Sequence, residues 1–516
     1  MTPQTLPSVH QINRNSDHPT ESEQVGEAID DDETMVDLIA TDAFDENCQK
    51  QIGYFGPWSN HAIFQFISAS FWRVSTHYTS TDLDSSLKDR LSEPHSRVKP
   101  PDSLELSRKR PLPRTPNEKC SLPSKSDGVR LLHRFFDSAG VMLAYLNRED
   151  IVKRYENARN SNPPRFSRVF LILLNIVWAH ASSSFGDARS EIFYHRAMGL
   201  LNLHTLQGSS HDLVQSLLLF ALYQQNHQRS ISSYTTHALC VKTAFQMGFH
   251  VLDNANRTEE EYRSRQQLWA AVVNNDRVFS STLGRPTMIS EALLTVEWNQ
   301  IPDSNMGLSS YLLIYQTRLN SILADATESF STGTYTKLGH LTVSEVICKR
   351  HRLFDKLEQW RDHLNPFGGL VSPVSLTDGI STSETSIAIR VTLSISYYRV
   401  CMAINFPLIV SLLHALLHDE TKDWQLQHLR QNSHQAIQHD WVAITNLHQI
   451  MQSIHSSGDG FVKVYAAHYM CNYTIFTATL HLFAILLIIK RDSVPDMPIA
   501  ANPTNARRIS FHNGDF

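Results

Sequence analysis

The sequence predicts an all-α protein, a multi-helix globular domain with a disordered acidic N-terminal tail. From Val129 onward, apolar residues recur at three- and four-residue spacing in long blocks, with short breaks of Gly, Asn, Ser and Pro between them. The period-two alternation that marks half-buried β-strands does not stand out anywhere in the chain. At 516 residues and 41% hydrophobic content, the chain is also long enough to bury a large core.

Residues 1–50 form the predicted acidic tail. They hold twelve acidic side chains against Arg14 and Lys50, a net charge of -10 within an overall charge of -5. So polar a segment buries too little apolar surface to offset its chain entropy, and we expect it to be disordered. The whole-chain balance does not indicate a strongly basic nucleic-acid binder, because phosphate contact needs clustered Lys and Arg.

The next three ranges differ in composition. Residues 51–78 are aromatic and apolar, which predicts a short element docked on the main body. Residues 79–128 contain prolines every few positions, as in PHSRVKPPD and RKRPLPRTP, and are predicted to be a linker. The helical domain is predicted over 129–495, followed by a tail at 496–516.

The helical domain divides into blocks of unequal length, which argues against a regular repeat array. The blocks predicted as helices are Leu131–Leu146, Arg168–Ser182, Ala188–Leu201, Asp212–His227, Ser232–Met247, Glu259–Leu283, Ser309–Ser329, Val343–His363, Ser383–Leu417, Leu426–His455 and Gly460–Lys490.

One stretch, Tyr473–Ile489, resembles a membrane span in its hydropathy. It is slightly shorter than the ~20 apolar residues that cross a bilayer and contains several Thr and a His, so we predict a buried core helix and no membrane association. More than fifty residues separate any two neighbouring cysteines, so none forms a Cys-x-x-Cys pair. With no apolar leader at the N-terminus, these features predict an intracellular protein.

The most informative window runs from Glu259 to Pro302. It predicts a long core helix that Gly284 caps and Pro286 prevents from continuing. Asp276 falls on the apolar stripe of this helix. A buried carboxylate is costly unless it is paired, so we expect an arginine partner, with Arg277, Arg285 or Arg265 as candidates.

The same window carries a recurrent set of residue types: Glu261, Arg263, Arg265, Trp269, Asp276, Arg277, Gly284, Arg285, Pro286, Ile289, Ile301 and Pro302. This order resembles the middle homology region of the fungal binuclear zinc-cluster transcription factors. Shorter similarities occur at Val214–Tyr223, Ala244–His250, Tyr397–Pro407 and Tyr54–Ser59. The resemblance implies the helical regulatory domain of that family, with Arg265, Trp269, Asp276, Arg277, Gly284, Arg285 and Pro286 as a structural motif.

The sequence departs from the family pattern in its cysteines. The family's DNA-binding segment is a short six-cysteine cluster that holds two zinc ions. Only Cys48 and Cys120 precede residue 240, so we expect this chain to lack that cluster. Loss of direct DNA contact and a gene model that begins downstream of the exon for the cluster both remain open.

A basic stretch in the linker is the remaining candidate for a nuclear or nucleic-acid contact. It consists of Arg108, Lys109, Arg110 and Arg114. A nuclear import signal, a solvated linker segment and a phosphate contact all remain open for it.

The resemblance predicts a nuclear transcriptional regulator of a dedicated fungal gene set, such as a secondary-metabolite or catabolic gene cluster. The alternative is a helical scaffold or coregulator that reaches DNA through a zinc-cluster partner protein. Expected partners are the transcription machinery or that zinc-cluster protein, and a small-molecule effector. We predict no enzyme activity, no catalytic residues, no cofactor and no metal site, since the sequence holds no Gly-x-Ser-x-Gly, His-Glu-x-x-His or Gly-Lys-Ser/Thr motif.

Overall fold

The computed structural model describes residues 54–78, 122–251, 258–294, 307–331, 342–364, 369–371, 384–417, 423–456 and 468–492. Regular structure in these ranges is helical, with no β-strand, which confirms the all-α prediction. The predicted tails at 1–50 and 496–516, the basic stretch at 108–114 and most of the predicted linker lie outside the described residues.

The described ranges contain fourteen α-helices and two 3-10 turns, at Ala139–Met142 and Glu291–Leu293. In chain order the helices are α1 (Asn60–Tyr78), α2 (Lys125–Asp137), α3 (Arg148–Asn160), α4 (Arg168–Ser183), α5 (Ser190–Leu200), α6 (Leu203–Gln207), α7 (His211–Asn226), α8 (Ser230–Gln246), α9 (Glu259–Leu283), α10 (Leu308–Ser331), α11 (Val343–Asp362), α12 (Glu384–Leu417), α13 (Asp423–Ser456) and α14 (His468–Asp492).

The block Leu131–Leu146, predicted as one helix, is interrupted. Ser138 leaves the helical conformation after α2, and its hydroxyl donates to the carbonyl of Arg134, so the chain continues as a 3-10 turn. At its other end α2 begins at Lys125, inside the range 79–128 predicted as linker. The side chain of Ser124 accepts the backbone N–H of Asp127 and so starts the helix early.

Helix α3 is absent from the predicted set. It is strongly polar, and Ile151 and Tyr155 are its buried residues, so the sequence shows little apolar periodicity there. Asn147 caps the helix by accepting the backbone N–H of Asp150. A cap and a minimal apolar stripe are sufficient because the surrounding helices supply the packing.

The first hydrophobic core is built mainly by α2 to α9. Helix α4 lies at its centre, where every residue from Ile172 to Ser182 is buried. It packs against α2, α5 and α7, and α7 packs in turn against α8. The central position of α4 explains why most of its residues are apolar.

The second hydrophobic core surrounds α12. Helices α10, α11, α13, α14 and α1 all pack against α12, and contact between α9 and α10 joins the second core to the first. Trp58, just before α1, reaches into the second core, where its ring centroid lies 5.9 Å from Phe330 and 6.5 Å from Phe406. The N-terminal described segment is therefore part of the second core.

A buried polar network ties four helices of the second core together. Arg350 Nε of α11 donates to Asn405 Oδ1 of α12 at 2.9 Å, and Asn405 Nδ2 donates to Asp440 Oδ1 of α13 at 2.7 Å. The other oxygen of Asp440 lies 2.6 Å from His481 Nδ1 of α14. All four side chains are buried, so each group depends on its neighbour to replace the water it lost.

Two described helices, Thr385–Leu417 and His468–Arg491, are long and apolar enough to cross a membrane by length and composition. Of their apolar windows, 72% and 61% respectively is buried inside the protein. The stretch Tyr473–Ile489 lies within the second of these, and its Ile485 and Ile488 are fully buried. Its apolar character is therefore accounted for by the second core.

Substitution Asp440→Ala is expected to lower the free energy of unfolding by about 3–5 kcal/mol, because it leaves buried donors on Asn405 and His481 without their acceptor. The matched control is Asp325→Ala on α10, whose partners Arg352 and Lys356 are 56% and 48% exposed, and which should cost about 1 kcal/mol or less. Urea unfolding followed by circular dichroism measures both. Equal losses for the two variants would contradict this account of the network.

Candidate functional site

The predicted motif residues cluster around the C-terminal end of α9. Asp276 is fully buried, and its carboxylate accepts the backbone N–H groups of Met288 at 3.0 Å and Ile289 at 3.1 Å. Arg277 Nη1 donates to Asp276 Oδ2 at 2.7 Å, so Arg277 is the arginine partner among the three candidates. The carboxylate thereby holds the segment after α9 against the last turns of the helix.

Arg277 is as deeply buried as Asp276. Its Nη1 also donates to the carbonyl of Ile289 at 2.8 Å, and its Nη2 lies 3.0 Å from Glu291 Oε1, whose side chain is about half exposed. His237 of α8 lies on the other side, with Nε2 3.7 Å from Asp276 Oδ1. Asp276 and Arg277 each have an ion partner and backbone hydrogen bonds in place of water. This arrangement favours a structural role for the pair.

Gly284 ends α9 in the left-handed conformation, at φ 65°, and lies directly against Gly56. The N–H of Gly56 donates to the carbonyl of Leu283 at 2.9 Å. A Cβ at Gly56 would lie 1.7 Å from the carbonyl oxygen of Gly284, and a Cβ at Gly284 would lie 2.6 Å from the Gly56 backbone. Both positions therefore need glycine, because two backbones meet there without room for a side chain.

One further contact fastens the N-terminal segment to the end of α9, and two others hold the turn that follows the helix. Arg285 Nε donates to the carbonyl of Tyr54 at 2.9 Å, and its guanidinium carbon lies 4.6 Å from the ring centroid of Tyr234. The hydroxyl of Ser280 donates to the carbonyl of Pro286 at 3.2 Å and holds the turn that follows the helix. The similarity at Tyr54–Ser59 thus marks a segment that lies against the motif itself.

The remaining motif residues lie earlier in α9. Arg265 Nη2 donates to the carbonyls of Met247 and Gly248, at 2.8 and 3.0 Å, and so satisfies the end of α8. Trp269 is buried in the first core, with its ring centroid 5.7 Å from that of Phe245. The structure places every motif residue in a capping or packing position. The import candidates Arg108, Lys109, Arg110 and Arg114 lie outside the described residues.

A cavity of about 100 Å³ lies at the seam between the two cores and is partly open to solvent. Its lining includes Leu222 of α7, Ala271 of α9, Gln316 of α10, Thr392 of α12 and Cys471 of α14. None of the seven motif residues reaches it. The cavity and the motif are separate features that share helix α9.

Arg399 of α12 is the cationic side chain of this cavity, and it is only 5% exposed. Its Nη2 donates to Ser281 Oγ at 2.6 Å, and its guanidinium carbon lies 5.1 Å from the ring centroid of Tyr473. Among the described residues no carboxylate forms an ion pair with it. Burial lowers the pKa of Arg399, which the neighbouring tyrosines Tyr473 and Tyr469 partly oppose.

Tyr473 joins the cavity to the N-terminal segment. Its hydroxyl donates to the carbonyl of Thr282 at 3.3 Å and accepts the backbone N–H of Asn60 at 3.2 Å. The side-chain amide of Asn60 donates to the Tyr473 carbonyl at 3.1 Å, and its oxygen accepts Thr477 Oγ1 at 2.8 Å. Burial raises the pKa of Tyr473, which keeps its hydroxyl protonated.

Amide side chains add polar groups to the cavity wall. Asn320 Nδ2 donates to Asn274 Oδ1 at 2.5 Å, and Gln225 and Asn275 lie nearby. Burial raises the pKa of the Cys471 thiol to about 12, so it stays protonated and is a poor nucleophile. In the part of the chain that the structure describes, no group of three His, Cys, Asp or Glu residues could hold a metal ion. The cavity wall thus combines amide groups and Arg399 with apolar side chains such as Leu313 and Ile395.

The sequence contained a signal for Arg399 that the motif search passed over. Between Thr385 and Leu417 the only Lys, Arg, Asp or Glu residues are Arg390 and Arg399, in an otherwise apolar segment. A cation isolated in this way must find a partner or a cavity.

Residues 132–380 match the family model of the fungal specific transcription factor domain. The match covers just under half of the chain. The matched range begins within α2 and ends beyond α11, so it includes the α9 motif, whereas α12 to α14 and Arg399 follow it. The resemblance seen in the α9 window is thereby confirmed.

Three proteins similar to this chain are named as transcription factors or transcriptional regulators. The chain is 26% identical to the transcription factor FBD3 of Gibberella moniliformis over 71% of the chain and 51% of that protein. It is 27% identical to FBD3 of Fusarium pseudograminearum over 47% of the chain and 33% of that protein. An uncharacterized transcriptional regulatory protein of Schizosaccharomyces pombe is 23% identical over 54% of the chain and 34% of that protein.

The alignments thus span between a third and a half of these relatives' own lengths. No solved structure matches the chain significantly.

Substitution Gly284→Ala is expected to loosen the N-terminal segment, residues 54–78, from α9. A left-handed alanine costs about 1–2 kcal/mol by itself. The control Gly186→Ala carries that cost alone, because Gly186 has φ 66° and no atom within 4 Å of an added Cβ. Gly284→Ala adds the collision with Gly56. Hydrogen exchange over residues 54–78 should therefore accelerate in Gly284→Ala and stay at the wild-type rate in Gly186→Ala.

Gly56→Ala separates the collision from the backbone strain, because Gly56 does not have a left-handed φ. It should accelerate exchange in the same peptides. Wild-type exchange in both Gly56→Ala and Gly284→Ala would show that the close approach of the two glycines is not needed for docking.

Proposed function

We propose that the chain is a nuclear transcriptional regulator of a dedicated fungal gene set, and that its helical domain tunes regulation in response to a ligand or a partner. The observation that carries the proposal is the match of residues 132–380 to the fungal specific transcription factor domain. The names of the relatives as transcription factors support it. A secondary-metabolite or catabolic gene cluster is the proposed target.

The proposal assigns no catalysis to the chain. Two acid–histidine contacts, Asp440 with His481 and Asp276 with His237, are of a type that enzymes use. Both are buried in the core, and neither lines the cavity. A general base must reach the proton it removes from a substrate, so these pairs favour a structural role.

The route to DNA distinguishes two forms of the proposal. In the first form the protein contacts its promoter directly. In the second it is a scaffold or coregulator, and a zinc-cluster partner protein supplies the DNA contact. The net charge of -5 favours the second form, because binding through phosphates needs clustered Lys and Arg.

Deletion of the gene is expected to change expression of a limited set of genes, and the tagged protein should occupy their promoters in chromatin immunoprecipitation. Purified protein that shifts one of these promoters sequence-specifically would support direct contact. Occupancy that disappears when a zinc-cluster partner is deleted would support the coregulator form. Unchanged transcript levels together with no promoter occupancy would refute both.

Nuclear import is expected to depend on the basic stretch in the linker. Replacing Arg108, Lys109, Arg110 and Arg114 with Ala should reduce the nuclear fraction of a fluorescent fusion several-fold. The matched control replaces Lys88, Arg90, Arg97 and Lys99, which removes the same charge from the same linker without a compact cluster. Equal nuclear fractions for the two variants would assign import to another segment.

A further inference from the structure

We propose that the cavity at the seam between the two cores binds a short-chain carboxylate, with Arg399 as the residue that recognises the anion. This inference deepens the proposed function, because it names the chemical class of the ligand through which the helical domain would be regulated. The binding step itself requires only the cavity and its charge.

The first argument is the missing counter-ion. A buried cation is costly unless a charge or several hydrogen bonds replace its hydration. Arg277, the other deeply buried arginine near this seam, has Asp276 and Glu291. Arg399 has Ser281 and the Tyr473 ring, and no acidic side chain among the described residues. A bound anion would supply what the fold leaves out.

The second argument is the geometry of the guanidinium group. It carries five N–H donors in a planar fork that matches the two oxygens of a carboxylate. The contacts of Arg399 with Ser281 and Tyr473 occupy part of this fork. Arg399 also lines the cavity, and we assign its remaining donors to the bound anion.

The third argument is the size and lining of the space. A dry cavity of about 150 Å³ can hold benzene, which has six non-hydrogen atoms, so a cavity of about 100 Å³ corresponds to roughly four. The open mouth permits a slightly longer molecule. Leu313 and Ile395 suit a short alkyl chain, and the Asn274 and Asn275 amides suit a second polar group.

The number of cations favours a carboxylate over a phosphate. Arg399 is the only Lys or Arg among the residues that line the cavity. A phosphate group carries close to two negative charges near neutral pH and is usually met by more than one donor cation. One buried arginine matches the single charge of a carboxylate.

The position of the cavity gives binding a structural consequence. Its walls come from α7 and α9 of the first core and from α10, α12 and α14 of the second. A ligand there contacts both cores at once and stabilises their association. Ligand binding to the folded state raises the free energy of unfolding in proportion to the logarithm of ligand concentration over Kd.

The test is thermal unfolding and isothermal titration calorimetry of the purified full chain at pH 7. The probes are acetate, propionate, butyrate and succinate, their neutral analogues propionamide and butyramide, and inorganic phosphate. At least one carboxylate is expected to raise the Tm saturably by several degrees, and the amides should leave it unchanged. Arg399→Gln should weaken carboxylate binding at least tenfold, and Arg399→Lys should retain part of it.

Two further variants distinguish loss of the Arg399 charge from misfolding of the Arg399→Gln protein. Ala271→Leu adds a bulky group to the cavity wall while leaving Arg399 in place, and it should also abolish binding. Arg352→Gln removes an arginine that is 56% exposed and does not line the cavity. This variant should bind the carboxylate like the wild type. Circular dichroism and the ligand-free Tm report whether each variant is folded.

The proposal is overturned if no carboxylate in the panel binds, if the amides bind equally well, or if both Arg399→Gln and Ala271→Leu bind like the wild type. Binding of phosphate alone overturns the assignment to a carboxylate. The binding measurements use purified protein without DNA, so they do not depend on regulator activity. Carboxylate binding without promoter occupancy would therefore refute only the regulator proposal. Promoter occupancy without carboxylate binding would refute only the proposal that the cavity binds a carboxylate.

Discussion

The arrangement of the helices depends on the hydrogen bonds that the Asp276 carboxylate accepts from the chain after α9. A helix end leaves backbone groups without partners, and the segment after it must supply or find them. Asp276 accepts the N–H groups of Met288 and Ile289 and so turns the chain back against α9. This return places Gly284 in its left-handed turn and leaves the carbonyl of Leu283 open to the N–H of Gly56. Docking of α1 on the second core follows from that contact, because Trp58 is only two residues further along the chain.

Polar side chains bond across the seam at which the two cores meet. Asn274 and Asn320 bond across α9 and α10, and Arg399 reaches Ser281 from α12 to α9. Polar contacts of this kind specify how the two halves fit, because each is costly to leave unpaired. Close packing of apolar side chains is interrupted at the seam, and the cavity lies there. The same groups that align the halves therefore line the space between them.

Much of the fold could be predicted from apolar spacing alone, because long helices such as α9 and α12 bury one face or their whole surface. Helix α3 could not, since its stability comes from neighbouring helices and its own sequence is polar. The need of Asp276 for an arginine followed from the cost of a buried charge, but the choice of Arg277 depended on the return of residues 284–289, which no periodicity encodes. The contact between Gly56 and Gly284 joins residues 228 positions apart and required the tertiary structure. The cavity was unpredictable for the same reason, although the isolated Arg399 gave a partial signal.

Tyr473 belongs to three contacts at once: Asn60 at the start of α1, Thr282 at the end of α9, and Arg399 in the cavity. If a ligand binds in the cavity, a group shared in this way would make its binding and the docking of the N-terminal helix linked equilibria. A ligand that shifts the ring of Tyr473 changes the affinity of α1 for the domain by some factor, and release of α1 must change the ligand's affinity by that same factor. The reciprocity requires no moving domain and no dedicated relay. It would follow from a single tyrosine whose hydroxyl contacts the N-terminal helix and whose ring contacts Arg399.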